Sequence, residues 1–248
     1  GARHRARLTY AAYVGFLQLN LTLELPHLSH EQFDDYVEHV IGALVPRGEY
    51  GQRASDALMA ETRKAGATVQ AMEAYDRSNA SISSAARKLR EKGGYGAVLI
   101  ADGGRMAGLA APILKPSGDS TQIIGTELWS GEKTVTSAPS LSGAWFSAVS
   151  DNRFGQFSQS YKRRYGATPY RIATLGYDAV LLTLRIAREW QPGTTFPTAR
   201  LSDKDGFLGL DGAFRFNRNG AIERALEVRE IKGGAVVTIS PAPARFAP

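Results

Sequence analysis

Two acids stand where this chain can hold a ligand. Asp102 ends the apolar run Ala97 to Ala101, and Glu127 follows the run Gln122 to Gly125. Gly103 and Gly104 come directly after the first acid, and Thr126 directly before the second. Carboxylates so placed can share a ligand that carries a cation, or act as an acid and base pair on a bond to be cleaved. The shared-ligand reading accounts better for the neighbouring glycines. Gly103 and Gly104 themselves admit two readings, a tight turn that brings a helix against a sheet or a surface that faces a ligand.

Nucleotide motifs fail at the same place. Gly103 and Gly108 have the outer spacing of a phosphate loop, yet Leu109 and Ala110 stand where lysine and a hydroxyl residue are needed, and the dinucleotide pattern lacks its middle glycine. No cofactor is expected. The histidines, His4, His27, His30 and His39, all precede residue 41, which excludes a Ser-His-Asp or Cys-His machine from the main body; a nucleophile elbow is also missing. With no cysteine, disulfides, thiolate nucleophiles and zinc-thiolate sites are removed. Neither a metal site nor catalysis is expected.

The stretch from Tyr95 to Trp129 positions both acids. Ala97 to Ala101 is short, continuous, apolar and bounded by glycine, as in a strand buried on both faces of a parallel sheet. A helix is expected from about Arg105 to Leu114, with Met106, Leu109, Ala110 and Ile113 on its inner stripe, and a second strand over Gln122 to Gly125. In open α/β sheets ligands lie beyond the carboxyl ends of strands, so Asp102, Gly103, Thr126 and Glu127 would line one crevice.

Upstream, a strand from Ile41 to Pro46, a loop from Arg47 to Gly51, a helix from Ser55 to Lys64, a strand from Thr68 to Tyr75 and a helix from Ser81 to Lys92 alternate. This predicts a doubly wound, largely parallel α/β layer. Downstream, Gly143 to Ala148 is a fifth strand and Arg153 to Tyr165 a helix. Pro169 opens what reads as the longest helical run, with Leu175, Ala179, Leu182 and Ile186 inward, Tyr177 as a core aromatic and Asp178 as a surface acid. From Gly206 the pattern is antiparallel, with a hairpin turn at Asn219 and Gly220, then alternation from Leu226 to Ile231 and a last strand from Ala235 to Ile239; the tail from Pro241 reads as frayed.

At the front, Arg3, Arg5 and Arg7 precede a mixed apolar run that Gln18 and Asn20 interrupt. Without a small-x-small cleavage site it reads as neither a retained targeting segment nor a transmembrane helix. Ser29 to Gln32 is a capping box that would open a helix with Phe33, Tyr36, Val37 and Val40 inward. A length of 248 residues fits one large domain or two small ones, and 43% apolar with 22% charged residues is the balance of an ordinary soluble protein. The net charge of +6 is dispersed over helix faces such as Lys162 to Arg164, so no nucleic-acid partner is expected.

The ordered set Val45 to Gly51, Gly96 to Asp102, Ile124 to Trp129, Gly143 to Phe146, Ala173 to Ala179 and Gly212 to Gly220 resembles the type I periplasmic ligand-binding proteins, the branched-chain amino-acid receptor group. Within it the chain is similar to the penicillin-binding-protein activators, which often carry the stretches seen here at Gly125 to Trp129 and Phe214 to Phe216. The resemblance implies two lobes that close on a small ligand. It assigns residues 1–40 to a remnant of the first lobe or a diverged N-terminus, and 41–150 to the second α/β lobe. Residues 151–205 become a helical segment returning to the first lobe, and 206–248 the C-terminal strands and tail. It places Tyr50 as an aromatic wall with a hydroxyl, Glu127 as the partner of a ligand ammonium, and the Gly103 and Gly104 amides where a carboxylate could be received. Asp102 stands where amino-acid receptors commonly have a more neutral residue.

The function so implied is non-enzymatic capture of a small polar ligand such as an amino acid, for uptake or sensing. It implies a periplasmic location, a lipid anchor upstream of Gly1 being one form of it, and a membrane permease as partner. The alternative, of another class, is an interaction module that activates a peptidoglycan synthase.

Overall fold

The computed structural model describes residues 40–217, 220 and 222–246. The readings of the front of the chain, from the arginines to the capping box at Ser29, lie outside them, as does Asn219, except that Val40, expected in the helix after that box, begins the first strand. The chain divides into two compact units, the described residues up to Ala148 with Val228–Ser240 forming one and Val149–Glu227 with the residues from Pro241 the other.

The first unit is a seven-stranded sheet. Strand β1 (Val40–Pro46) leads to helix α1 (Glu49–Lys64), β2 (Thr68–Tyr75), α2 (Asn79–Lys92), β3 (Ala97–Ile100), α3 (Gly104–Leu114) and β4 (Gln122–Gly125). A single 3-10 turn (Glu127–Trp129), the short helix α4 (Lys133–Ser137) and β5 (Trp145–Ala148) follow. The strands lie in the order β10 (Ala235–Ser240), β9 (Glu227–Lys232), β5, β4, β3, β1, β2, with β1 to β5 pairing in parallel. Because β1 lies between β2 and β3, the crossovers change direction there, and the carboxyl ends of β1 and β3 flank the switch point where such sheets bind ligands.

Alternation along the central strands divides the core. Leu44, Val98, Ile100 and Ile123 pack with Ile82, Ala86 and Leu89 of α2 and Met106 and Ala110 of α3, while Ala43, Val45, Leu99 and Ile124 pack with Ala54 and Leu58 of α1. Burial on both faces is what makes these strands continuous apolar runs.

Two helix details differ from the sequence expectation. Helix α1 begins at Glu49 rather than Ser55, so Tyr50 lies in its first turn instead of a loop. This is possible because Gly48 is the N-cap at φ 106° and because Gly51 lies against the Pro46 carbonyl, where a Cβ would stand 1.6 Å from the oxygen. In α3 the buried face is Met106, Ala107, Ala110, Ala111 and Leu114, while Leu109 and Ile113 are half-buried at its margin. Pro112 lies inside α3 and leaves the Gly108 carbonyl without its helical donor; the Ser140 hydroxyl approaches that oxygen at 3.5 Å.

The second unit holds α5 (Asn152–Tyr165), closed by Gly166 at φ 74°, and α6 (Ala173–Ala187). An antiparallel sheet of β6 (Phe207–Gly209), β7 (Gly212–Phe216) and β8 (Ile222–Arg224) completes it. Helix α6 starts at Ala173, after a turn in which Ala173 and Thr174 donate to the Tyr170 and Arg171 carbonyls, not at Pro169. At 15 residues it is shorter than the 16 of α1. Its buried face is Thr174, Asp178, Leu182 and Ile186, so Asp178 is inside and Tyr177, 44% exposed, is outside, the reverse of the sequence reading. Both Asp178 oxygens accept the Leu210 N–H, at 2.8 and 3.1 Å, which explains how the carboxylate can be buried.

The last strands part company. β9 (Glu227–Lys232) and β10 (Ala235–Ser240) form an antiparallel pair that extends the seven-stranded sheet, β9 meeting β5 through Gly143 N–H to the Ile231 carbonyl at 2.7 Å. The tail read as frayed is anchored, because Phe246 is buried under the Arg215 guanidinium at 4.5 Å.

Candidate functional site

Each parallel strand from β2 to β4 releases a charged residue two positions past its end: Arg77 after β2, Asp102 after β3 and Glu127 after β4. Since β2, β1, β3 and β4 are neighbours in that order, these loops open on one edge of the sheet, where the first turn of α1 adds Tyr50.

Asp102 is buried and well satisfied. Its Oδ2 accepts the Tyr75 hydroxyl at 2.8 Å and Arg77 Nε at 3.2 Å, and its Oδ1 accepts the Gly103 N–H at 2.8 Å. The Trp129 indole N–H donates to the Asp102 carbonyl at 2.8 Å, joining the ends of β3 and β4. Burial, and then the bond donated to Asp102, push the Tyr75 hydroxyl far above its ordinary range.

Glu127 is placed differently. Its Oε2 is buried and has no hydrogen-bond partner among the described residues. Burial raises its pKa, and the only counter-effect comes from its own backbone N–H. Beside it the Tyr50 hydroxyl donates to Thr126 Oγ1 at 3.3 Å, and Thr126 is fully buried. Burial first, then the Glu127 and Asp102 charges, push Tyr50 up to about 12. At neutral pH both tyrosines are therefore hydrogen-bond donors and neither is a base.

The amides of Gly103 and Gly104 are not open to a ligand carboxylate. Gly103 donates to Asp102, and Gly104 donates to Glu132 Oε2 at 2.8 Å. Glu132 thereby places a negative charge at the N-terminus of α3, where the helix dipole favours it. The two glycines serve close packing: a Cβ on Gly104 would stand 2.4 Å from Val135 Cγ1, and one on Gly103 would stand 2.9 Å from Glu132 Oε1. Of the residues singled out from sequence, Tyr50, Thr126 and Glu127 come together directly, and Asp102 joins them through its charge on Tyr50. Gly103 and Gly104 support the loop.

Sequence reasoning missed Tyr75, Arg77 and Glu132. Arg77 carried a usable signal, since it stands in the same relation to its strand as Asp102 and Glu127 do to theirs. Among the described residues no group of three or more His, Cys, Asp or Glu side chains could hold a metal ion, and no helix is long and apolar enough to cross a membrane. The arrangement suits holding a cation on Glu127 between an aromatic wall and a buried hydroxyl.

No protein-family profile matches the chain, and no curated protein matches it. Solved structures do. A Rhodospirillum rubrum protein assigned to a branched-chain amino acid ABC transporter superposes with a TM-score of 0.70 at 19% identity, over 84% of this chain and 63% of that one. A leucine-binding protein of Thermotoga maritima gives 0.60 at 16% identity, over 84% of this chain and 61% of that one. A solute-binding protein of an ABC transporter from R. palustris, in complex with benzoate, gives 0.59 at 14% identity, over 96% of this chain and 64% of that one. The chain thus spans less than two thirds of the length of these structures. A parallel sheet with its switch point at β1, a separate antiparallel sheet and these superpositions together give the chain the type I periplasmic-binding-protein fold.

Proposed function

We propose that this chain is the ligand-gripping part of a non-enzymatic solute receptor, and that its ligand is a small molecule with an ammonium group, an amino acid first among them. The observation that carries this reading is the buried, unpartnered Oε2 of Glu127, flanked by Tyr50 and Thr126 at the carboxyl end of β4. A carboxylate oxygen kept out of water without a donor is costly, and a ligand ammonium supplies the missing donor and charge. A location in the cell envelope and delivery to a membrane permease follow from the same reading. They are supported by the solved relative from Burkholderia xenovorans described as a periplasmic ligand-binding protein of a branched-chain amino acid ABC transporter.

The test is thermal. A ligand at 100 times its dissociation constant stabilises the folded state by about 2.7 kcal/mol, a melting shift of roughly 5 to 11 °C for a chain of this size. A panel of free amino acids is expected to include one or more that produce it. A flat response to the whole panel would count against the receptor and favour the interaction module that activates a peptidoglycan synthase.

A further inference from the structure

Arg77 is a cation held in the same crevice with most of its donors unused. Its Nε donates to Asp102 Oδ2 at 3.2 Å, and its guanidinium carbon stands 5.8 Å from the centroid of the Tyr50 ring, over the ring. Among the described residues the two Nη nitrogens have no hydrogen-bond partner, and the side chain is 54% exposed, against 10% for Asp102. The guanidinium is nonetheless fixed. Asp102 is itself held by the Tyr75 hydroxyl and the Gly103 amide, so the ion pair holds the guanidinium beside the Tyr50 ring.

Charge bookkeeping shows that Asp102 does not use up this cation. Asp102 already accepts two other hydrogen bonds, and Arg77 reaches it through a single nitrogen. Nor is Arg77 the counter-ion of Glu127, whose Oε2 has no donor. The crevice therefore offers two separated groups, a guanidinium with free donors at Arg77 and a buried carboxylate oxygen without one at Glu127. The Tyr50 ring spaces them: the guanidinium lies over its face, while its hydroxyl, at the ring's edge, meets Thr126 beside Glu127.

We propose that the ligand carries a second charge and that Arg77 binds it, making the preferred ligand an acidic amino acid whose ammonium meets Glu127 and whose side-chain carboxylate meets the Nη nitrogens of Arg77. The α-carboxylate is separated from the ammonium by one carbon, and a side-chain carboxylate by two in aspartate and three in glutamate, so an acidic side chain reaches further past the Tyr50 ring toward Arg77. The inference rests on the receptor reading above and deepens it by naming the ligand class. Arginine suits the task because two parallel N–H donors match a carboxylate's two oxygens.

Isothermal titration of the unaltered chain with L-glutamate, L-aspartate, L-glutamine, L-asparagine and L-leucine tests it. The expected result is that an acidic amino acid binds at least tenfold tighter than its own amide, the pair being equal in size and different in charge. Arg77→Gln should abolish that preference, and Arg77→Lys should restore part of it. If neutral amino acids bind, depend on Glu127, and match or exceed the acidic ones, Arg77 is no anion site and the receptor reading stands alone. If none of the five binds, the acidic-ligand inference falls, and the receptor reading is decided separately by the thermal panel above. The comparison of acid with amide on the unaltered chain decides the matter even if the Arg77 variants fold poorly.

Discussion

The indole N–H of Trp129 donates to the backbone carbonyl of Asp102 at 2.8 Å, so one fully buried side chain fastens the end of β4 to the end of β3. The same ring lies on Gly125, where a Cβ would stand 2.1 Å from Cε2. Trp129→Phe keeps most of the apolar volume but leaves a buried carbonyl without its donor, a loss of about 1 to 3 kcal/mol. Gly125→Ala forces the ring to move and should cost a similar amount through overpacking. Urea midpoints with unchanged slopes would check both; a Trp129→Phe chain as stable as the parent would remove this contact from the site's support.

Gly209 and Asp178 form a second such pair, in the other unit. A Cβ on Gly209 would stand 2.2 Å from Asp178 Oδ2. Gly209→Ala should therefore destabilise the chain by about 1 to 3 kcal/mol. Removing the obstructing carboxylate with Asp178→Ala also deprives the Leu210 N–H of its acceptor. The two substitutions should be less harmful together than the sum of their separate costs. Additive losses in a double-mutant cycle would show that the two residues do not meet.

The pH dependence of stability follows from Glu127. Its pKa is raised in the folded chain by burial, so the fold binds more protons at this site than the unfolded chain does. The sign is then fixed: stability is greatest below the unfolded pKa and falls as pH rises through the folded one. Glu127→Gln removes the ionisation, so the variant should match its parent at low pH and exceed it at neutral pH. Denaturant midpoints of the two proteins across that range check this; a variant that is weaker at neutral pH would mean that the carboxylate is satisfied in the fold.

The fold was legible where packing writes itself into short runs. Ala97 to Ala101 reads as a strand buried on both faces and Gln122 to Gly125 as its parallel neighbour, and the structure places strands at Ala97–Ile100 and Gln122–Gly125, with the polar residues at their ends marking the crevice. Arg77 was passed over because its importance lies in which strands are neighbours. β2 lies two strands from β3, across β1, and only that order brings Arg77 to Asp102. The Gly104 amide is closed to a ligand for a related reason, since its acceptor Glu132 stands 28 residues further along the chain and only the fold brings it to the start of α3. Asp178 was misplaced because an acid on an amphipathic helix ordinarily faces water. The spacing of Thr174, Asp178, Leu182 and Ile186 is that of the true inner face, and the Leu210 amide that meets the carboxylate is what lets an acid stand on it.

Whether the crevice grips a ligand depends on Glu127 meeting a ligand cation. The most direct test is isothermal titration of the unaltered chain and of Glu127→Gln, at neutral pH, with whichever amino acid gives the largest thermal shift. Truncating one partner of a buried charge pair costs roughly 2 to 5 kcal/mol, so the variant should bind at least about thirtyfold more weakly while remaining folded. Equal affinity in the two proteins would contradict the account.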